Sequence, residues 1–210
     1  MRVLITAGPT REYLDPVRYL SNASSGRMGI YLAAAAKARG DHVTLVLGPT
    51  EMEPPEVDEL VRVTSAADMF EAVVARFDGC DLFMAAAAVC DYRPVQRQDQ
   101  KIKKAGGRLT VAFDPTADII GQMSRRRHRG QVLVGFCLET MDLERRARDK
   151  LEVKALDLVV ANGPEAIGAE RQDALIVGRG GRCDRLTQLT KAELADRILE
   201  AVAGLKRSGA

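Results

Sequence analysis

The chain has few of the residues from which catalytic metal sites and nucleophile triads are usually built. Its 210 residues include only two histidines, His42 and His128, so a histidine-based zinc site or a Ser-His-Asp triad has little material to draw on. Four cysteines are scattered along the chain, at positions 80, 90, 137 and 183. No two of them have the Cys-x-x-Cys spacing of a metal or redox motif, and we therefore expect reduced thiols in a cytoplasmic protein.

Excess charge and long apolar runs are also missing. The chain carries 31 Lys and Arg against 29 Asp and Glu, a net charge of +2, which is too small to favour a nucleic acid or a membrane as partner. We interpret the short basic run Arg125–Arg129 as a solvated turn. No apolar run approaches the roughly 20 residues that cross a bilayer, and Met1–Leu4 begins a short strand pattern rather than a signal peptide.

The chain instead alternates apolar runs with helical patterns, which is typical of an α/β fold. The runs are largely apolar, and this indicates strands buried on both faces of a parallel sheet. Right-handed crossovers then give a doubly wound, mostly parallel, Rossmann-like sheet, and 210 residues with 46% apolar content favour one domain over 1–210. The expected strands are Val3–Ala7, Val43–Leu47, Leu82–Val89, Val132–Phe136 and Leu158–Ala161. The expected helices are Arg27–Ala38, Ala66–Phe77, Asp118–Ser124 and Leu143–Lys154.

Two regions depart from this alternation. Tyr92–Gly107 is polar, and we expect a flap there, followed by a half-exposed strand over Leu109–Phe113, where apolar and polar residues alternate. Near the C-terminus, Ala174–Val177 and Arg185–Leu189 flank Gly-Arg-Gly-Gly-Arg, which predicts a β-hairpin. A closing helix is expected over Lys191–Leu205.

The segment Gly8–Gly29 lies between the first expected strand and the first expected helix, where α/β folds often bind phosphate. Ser24, Ser25 and Gly26 stand at the helix start. Serine is a typical helix cap and glycine lets an anion approach the backbone, while free N–H groups and the helix dipole favour negative charge. The alternative is a long structural connection stabilised by its prolines. The spacing matches neither a P-loop nor a dinucleotide fingerprint.

Several motifs in this segment and beyond it occur in a fixed order along the chain. They are Gly8–Glu12, Asp15–Arg18, Ser21–Gly29, Ala86–Arg93, Lys101–Lys104, Val134–Phe136 before Glu139-Thr140, Lys150 and Lys154 before Asp157, and Ala161-Asn162. Together they closely resemble phosphopantothenoylcysteine synthetase, the ligase of coenzyme A biosynthesis. The resemblance covers nearly the whole chain, and the ordered set is far more specific than any one motif.

The resemblance implies a reaction. Members of this family join 4′-phosphopantothenate to L-cysteine, and bacterial members mostly use CTP, forming an acyl-cytidylate with loss of pyrophosphate and then releasing CMP. Magnesium is expected from the triphosphate chemistry, although the sequence identifies no metal ligands. A homodimer is expected, with Leu109–Phe113 as a candidate edge for pairing. Bacterial members are often fused to a flavin-dependent decarboxylase, and the sequence given does not include that domain. The chain is then either a naturally monofunctional protein, with a separate decarboxylase as an expected partner, or a domain excised from a bifunctional enzyme.

The resemblance implies a part in the reaction for three side chains. Asn22 matches the asparagine associated with the acyl-cytidylate step, where a neutral amide can donate to the acyl oxygen; an Asx turn or a helix cap fits the residue alone equally well. Arg18 can bind a carboxylate or a phosphate, or form an ion pair with Asp15. Lys101 lies in the flap, where its counterpart acts in nucleotide binding and turnover and can close over the phosphates. Without the resemblance, a solvated loop is favoured for this lysine.

The resemblance also implies a nucleotide site. Asp91 follows a strand end and can accept from a ribose hydroxyl or a base amino group, while Lys150 and Lys154, four residues apart, can bind phosphate. Without the resemblance, Phe136 is expected to be a core residue, and Lys150 and Lys154 are expected to lie on a solvated helix face. Cys90 and the pair Cys137-Leu138 replace smaller family residues near the expected base pocket. The implied nucleotide-binding residues are Ser24, Ser25, Gly26, Ala85, Ala86, Ala87, Asp91, Lys101, Ala117, Asp118, Ile119, Ile120, Phe136, Lys150 and Lys154.

Two other classes of function remain open on the sequence. A nicotinamide-dependent oxidoreductase uses the same fold, but the chain lacks the dinucleotide fingerprint and a Tyr-x-x-x-Lys proton relay. A non-catalytic nucleotide-binding module predicts CTP binding without release of pyrophosphate.

Overall fold

The computed structural model describes residues 1–104 and 106–208. Its centre is an eight-stranded sheet, and two two-stranded ribbons stand apart from it. The sheet strands are β1 (Arg2–Ala7), β4 (His42–Leu47), β5 (Glu59–Arg62), β6 (Leu82–Ala85), β9 (Val132–Leu138), β10 (Leu158–Asn162), β11 (Arg171–Gly178) and β12 (Cys183–Thr190). The opening ribbon pairs β2 (Arg11–Tyr13) with β3 (Tyr19–Ser21), and the second ribbon pairs β7 (Tyr92–Pro94) with β8 (Phe113–Pro115).

The strand order in the sheet is β12-β11-β10-β9-β6-β1-β4-β5. The strands from β10 to β5 are parallel, and β11 and β12 are antiparallel additions at one end. The order therefore reverses at β1: the chain continues to β4 on one side and returns to β6 on the other. Open α/β sheets bind ligands outside the carboxyl ends of their strands at such a reversal. The predicted doubly wound, mostly parallel Rossmann-like sheet is confirmed.

The helices divide between the two faces of the sheet. They are α1 (Arg27–Ala38), α2 (Ala66–Phe77), α3 (Ile119–Arg126), α4 (Leu143–Val153) and α5 (Lys191–Ser208). Leu32 of α1 and Ile198 of α5 belong to one buried cluster, whereas Phe77, Met123 and Leu151 of α2, α3 and α4 belong to the other. Residues in both clusters come from the same strands, because neighbouring side chains of a strand point to opposite faces.

The close fit of α1 against the sheet depends on one glycine. A Cβ at Gly29 would lie 2.4 Å from the Ala7 Cβ and 3.1 Å from the Thr6 backbone oxygen, so no other residue fits without displacing the helix. The start of α2 is fixed by a capping box, in which the Ser65 side chain accepts from the Asp68 amide and Asp68 accepts from the Ser65 amide.

Several boundaries differ from those expected. The strand expected over Leu82–Val89 ends at Ala85, because the backbone beyond it bonds to the opening segment: the Ala88 amide donates to the Gly8 oxygen at 3.0 Å. The strand expected over Leu109–Phe113 is wrong, since only Phe113 is in β8. The opening ribbon and β5 were not expected. The C-terminal hairpin and closing helix are confirmed.

In the described ranges, no helix combines the length and the apolar character that a bilayer crossing requires.

Candidate active site

A cavity of about 800 Å³ opens at the carboxyl ends of the central parallel strands. The opening segment after β1 and the segment 85–91 after β6 form two of its walls, so it lies where the strand order reverses. It brings together every residue of the expected site except Arg18 and Lys101. These gathered residues are Asn22, Ser24, Ser25, Gly26, Ala85, Ala86, Ala87, Asp91, Ala117, Asp118, Ile119, Ile120, Phe136, Lys150 and Lys154.

Asn22 joins the two walls. Its Nδ2 donates to the backbone oxygens of Ala88 at 3.1 Å and Val89 at 3.0 Å. The opening segment is further fastened by Thr10, whose Oγ1 accepts from the Cys90 amide at 2.9 Å. The side chain of Asn22 is therefore neither an Asx turn nor a helix cap. It is an exposed amide held at the cavity edge with its Oδ1 free of any recorded hydrogen bond.

The first turn of α1 is open to the cavity. The N-cap is Gly26, with φ 74°, and no side chain caps the helix. The expected serine cap is therefore wrong: the left-handed backbone favours glycine, and a Cβ here would lie 3.0 Å from the Gly8 Cα. Ser24 instead accepts from the Gly26 amide at 3.3 Å. Because no acidic residue occupies this turn, the positive end of the helix dipole has no counter-charge of its own.

On the α3 and α4 side of the cavity, each cation already has an acceptor. Lys150 donates through Nζ to the Phe136 oxygen at 2.5 Å, and Lys154 pairs with Asp118. Asp118 also caps α3 by accepting from the Gly121 amide at 3.1 Å. Burial alone would raise the pKa of Asp118, but the contacts with Lys154 and Gly121 outweigh it and lower that pKa. Lys154 follows the end of α4 at Val153 rather than lying within the helix.

Arg18 and Lys101 lie outside the cavity lining. Arg18 forms the expected pair with Asp15, through Nε at 3.0 Å and Nη2 at 2.5 Å. Its Nη2 also donates to the backbone oxygen of Ile102 at 2.7 Å, and the Ile102 amide donates to Asp15 at 3.1 Å. The residue next to Lys101 is thus fastened to the opening ribbon by what we call the Asp15–Arg18 clamp, while the Lys101 side chain is exposed. Of the expected flap, Ala105 is outside the described residues.

The clamp rests on an ionised carboxylate. The Asp15 side chain is fully buried, and burial by itself would raise its pKa. Hydrogen bonds from Arg18 and from the amides of Val17, Arg18 and Ile102 outweigh that effect and hold the pKa well below its usual range. Five N–H donors around one buried carboxylate make the clamp a defined structure rather than a transient surface pair.

Of the two cysteines expected near the base pocket, one lines the cavity and the other lies just behind its wall. Cys90 is buried, with its Sγ 3.6 Å from the Thr10 oxygen, and it does not line the cavity, although its neighbours Val89 and Asp91 do. Cys137 and Leu138 do line it. All four cysteines are free. Burial raises the pKa of Cys80 and Cys137 to about 11, which keeps both as neutral thiols near pH 7.

The sequence did not single out Arg27, Gln172 and Lys191, which line the cavity on its α1 and α5 side. Arg27 and Lys191 are the first residues of α1 and α5. A cation in a first helical turn opposes the helix dipole, and that was the available signal. The sequence around Gln172 gave no such signal, because the burial of this side chain depends on the register between β11 and β12.

Among the residues described, no three His, Cys, Asp or Glu side chains come close enough together to hold a metal ion by themselves. Asp91, Asp118 and Glu139 are the carboxylates that line the cavity.

Residues 1–205 match the family model described as the DNA/pantothenate metabolism flavoprotein C-terminal domain. The chain belongs to that family. The chain is 40% identical over 210 residues to the coenzyme A biosynthesis bifunctional protein CoaBC of Bacillus subtilis. The match covers 98% of this chain and 52% of the relative. It is 43% identical over 209 residues to a cysteine/cysteine sulfinic acid decarboxylase from an unknown prokaryotic organism, covering 97% of this chain and 58% of that protein. The chain thus spans little more than half the length of these relatives.

The fold agrees with a solved structure of the same family. The crystal structure of the C-terminal domain of CoaBC superposes with a TM-score of 0.85 at 36% identity, and the match covers 99% of this chain and 96% of that one. The expected family is therefore confirmed for nearly the full length of the chain.

Proposed function

We propose that this chain is a phosphopantothenate–cysteine ligase that uses CTP. The proposal extends over residues 1–210 as one ligase domain. Membership of a family whose CoaBC relatives are named for coenzyme A biosynthesis supports the pathway. The observation that carries the reaction is that Asn22 and all of the expected nucleotide-binding residues except Lys101 line one cavity at the sheet reversal.

The cavity supplies what a nucleotide needs. The small side chains of Ala85, Ala86 and Ala87 let a flat base approach the backbone, and Phe136 adds an apolar surface beside them. Asp91 offers an acceptor for a ribose hydroxyl or a base amino group. Ser24, Ser25 and Gly26, at the open start of α1, offer donors to the phosphates. Lys150 and Lys154 would turn from Phe136 and Asp118 toward phosphate when a nucleotide enters.

In the first step, a carboxylate oxygen of 4′-phosphopantothenate attacks the α-phosphorus of CTP. The new P–O bond gives the acyl-cytidylate, and the bond to the β-phosphate breaks to release pyrophosphate. Asn22 is placed to orient the acyl group, exchanging one of its two backbone acceptors for the acyl oxygen. Lys101 would close over the phosphates and limit access of water to the mixed anhydride.

In the second step, the amine of L-cysteine attacks the acyl carbon. The C–N bond forms as the bond to the cytidylate oxygen breaks, CMP leaves, and the nitrogen loses a proton. No side chain is assigned as the base. A phosphate oxygen of the substrate or of bound pyrophosphate can accept that proton.

Magnesium fits this site only as a companion of the triphosphate. The described residues offer scattered carboxylates rather than a cage, and magnesium commonly binds through one or two carboxylates and substrate phosphates. Asp118 already pairs with Lys154, so Asp91 and Glu139 are the cavity carboxylates left to contribute. The ion would neutralise phosphate charge during nucleotide binding.

We also propose a homodimer. Exposed apolar side chains cover the two ribbons and the segments beside them, and their burial needs a partner surface. They are Tyr19, Leu20, Tyr92, Val95, Leu109 and Phe113. Light scattering at micromolar concentration should give twice the monomer mass, and a monomer would contradict this assembly. A phosphopantothenoylcysteine decarboxylase is the proposed second partner, because the CoaBC relatives are named as bifunctional proteins.

The test of the reaction is a pyrophosphate-release assay. Phosphopantothenate, cysteine and each of the four ribonucleoside triphosphates are supplied in turn, with cysteine omitted as a control. Pyrophosphate with CTP, and amide product only when cysteine is present, is the expected result. Turnover without preference for CTP would support the ligase reaction and contradict the assignment of CTP as its nucleotide. Nucleotide binding with no pyrophosphate would favour the non-catalytic module instead.

A further inference from the structure

The α1 and α5 side of the cavity holds a buried lysine in an unusual setting. Lys191, the first residue of α5, is 8% exposed. Its Nζ donates to Gln172 Oε1 at 2.7 Å and to the Ala166 backbone oxygen at 3.1 Å. Lys191, Gln172 and Ala166 all line the cavity. Both acceptors are neutral, and no carboxylate lies within ion-pair distance of Lys191 in the part of the chain that the structure describes.

Gln172 leaves a second group without a partner. It is 3% exposed, and its Nε2 is the one buried side-chain nitrogen or oxygen without a hydrogen-bond partner among the described residues. A buried amide nitrogen that has lost its water and gained no protein acceptor is unfavourable. Such groups in native structures usually await a water, an ion or a ligand. The unpartnered atom is a donor, so the missing partner is an acceptor.

A third cation completes the set. Arg27, the first residue of α1, lines the same part of the cavity and forms no recorded ion pair or hydrogen bond within the described residues. Burial lowers the pKa of Lys191, and the positive charge of Arg27 lowers it further. Two cations that oppose each other beside an uncapped helix start are stabilised together when an anion enters between them.

We propose that Arg27, Gln172 and Lys191 form a phosphate subsite, which receives the terminal phosphates of the nucleoside triphosphate and holds pyrophosphate as it leaves. The assignment of the triphosphate rests on the proposed function. The subsite lies on the α1 and α5 face of the sheet, whereas Asp118, Lys150 and Lys154 lie on the opposite α3 and α4 face. A nucleotide with its nucleoside beside α3 would cross the strand ends, pass the start of α1 and place its far phosphates beside Lys191.

The cations on the two faces of the sheet have different partners, and this difference favours the proposed orientation of the nucleotide. Lys154 pairs with the carboxylate of Asp118, and Lys150 donates to the backbone oxygen of Phe136, which keeps its Nζ close to β9. Within the described residues neither Arg27 nor Lys191 has an anionic partner, so their charge is available to the most highly charged end of the ligand. Two cations and an amide donor suit a diphosphate oxyanion better than an apolar or cationic group.

The test is calorimetric binding of three probes: inorganic pyrophosphate, CTP and CMP. Lys191→Met removes the ammonium group and keeps the length of the side chain. We expect it to weaken pyrophosphate and CTP binding about tenfold or more and to change CMP binding less than about twofold. The matched control is Lys37→Met, since Lys37 lies at the other end of α1 and pairs with Asp58; it should leave all three affinities unchanged.

A second variant keeps the proposal falsifiable if Lys191→Met unfolds. Gln172→Glu retains an acceptor for Lys191 and replaces the unpartnered donor with a negative oxygen. It should keep the fold and reduce pyrophosphate affinity about tenfold. Equal weakening of CTP and CMP, or unchanged pyrophosphate binding in Gln172→Glu, would overturn the subsite.

The outcomes separate this proposal from the proposed function. A wild-type protein that binds pyrophosphate and needs Lys191 for it, yet has no ligase activity, retains the subsite and rejects the ligase. A wild-type ligase whose pyrophosphate affinity is the same in Lys191→Met and Gln172→Glu retains the ligase and rejects the subsite. Loss of phosphopantothenate binding alone in Lys191→Met, with CTP unaffected, would also reject the assignment to the triphosphate.

Discussion

The central sheet and the two ribbons are held in place by different forces. Ile5, Leu45 and Leu82 in neighbouring sheet strands are fully buried, and apolar burial of this kind contributes most of the stability of a domain. The ribbons are fastened chiefly by polar contacts, including those of Asn22 and the Asp15–Arg18 clamp. Substitutions in the sheet should therefore act on stability, and substitutions in the ribbon contacts should act on turnover.

The largest expected effect is a loss of stability from the sheet. Phe83 in β6 is fully buried and packs edge-on against Phe77, with ring centroids 5.8 Å apart. Phe83→Ala removes a large buried side chain and leaves a cavity, so the free energy of unfolding should fall by about 3–5 kcal/mol. Urea denaturation followed by circular dichroism measures this change.

The matched control is Phe113→Ala in the second ribbon. Phe113 is 39% exposed, and the same substitution should cost about 0.5 kcal/mol or less in the monomer. Equal losses at the two positions would mean that the ribbon is part of the cooperative core, and the comparison would fail.

The next effect is on catalysis. Asn22→Ala removes the amide that joins the two cavity walls, and we expect turnover to fall by about 10²–10³-fold because the acyl-cytidylate step loses a placed donor. CTP should still bind, since the phosphate donors and the base pocket are retained. Pyrophosphate release and CTP calorimetry measured on the same preparation test both statements. Normal turnover would remove Asn22 from the mechanism.

The sheet was predictable from sequence because its signal is local and strong. The apolar runs around Ile5, Leu45 and Val160 are buried on both faces, and such runs have few alternative structures. Most of the expected site residues could also be predicted to lie together. Their motifs follow the carboxyl ends of strands, and in a parallel sheet these ends lie along one edge.

The ribbons and the α1 and α5 side were not predictable for a physical reason. The three-residue strands β2 and β7 carry little apolar periodicity, and their positions depend on contacts between residues far apart in sequence, such as Asn22 with Val89. Lys191 carries only the weak signal of a cation in a first helical turn, and its burial and its bond to Gln172 depend on where β11 lies. Pairings over long sequence separations decide these features, and no short window of sequence contains them.

The Asp15–Arg18 clamp should affect turnover because it positions the segment that carries Lys101. Arg18→Met removes the bond to the Ile102 oxygen, so the segment that carries Lys101 is less well positioned. We expect kcat to fall about tenfold in Arg18→Met and in Lys101→Ala. If Arg18 acts only by positioning Lys101, the double variant should lose little more than either single one.

The control for this cycle is Arg97→Met. Arg97 stacks over the Tyr13 ring at 5.2 Å and, within the described residues, makes no hydrogen bond to Ile102, so kcat should be unchanged. Fully additive losses in the double variant would show that Arg18 acts independently of Lys101. A large fall in thermal stability for Lys101→Ala would show that this lysine supports the fold and would contradict its assignment to a flap that acts in turnover.

The smallest expected effect is a local release of the clamp in acid. The folded-state pKa of Asp15 lies below the ordinary value of 3.8, so its contribution is complete above about pH 4 and is lost as the pH falls through the lower folded-state value. The Val17 and Ile102 amides donate to this carboxylate. Their hydrogen-exchange protection should persist at about pH 4 and decline below it, before the amides of β1 and β4 lose theirs. Asp15→Asn should remove this pH dependence, because the group then has no charge to lose. Protection that disappears already above about pH 5, or together with that of the sheet, would mean that the polar contacts and the apolar core form one cooperative unit.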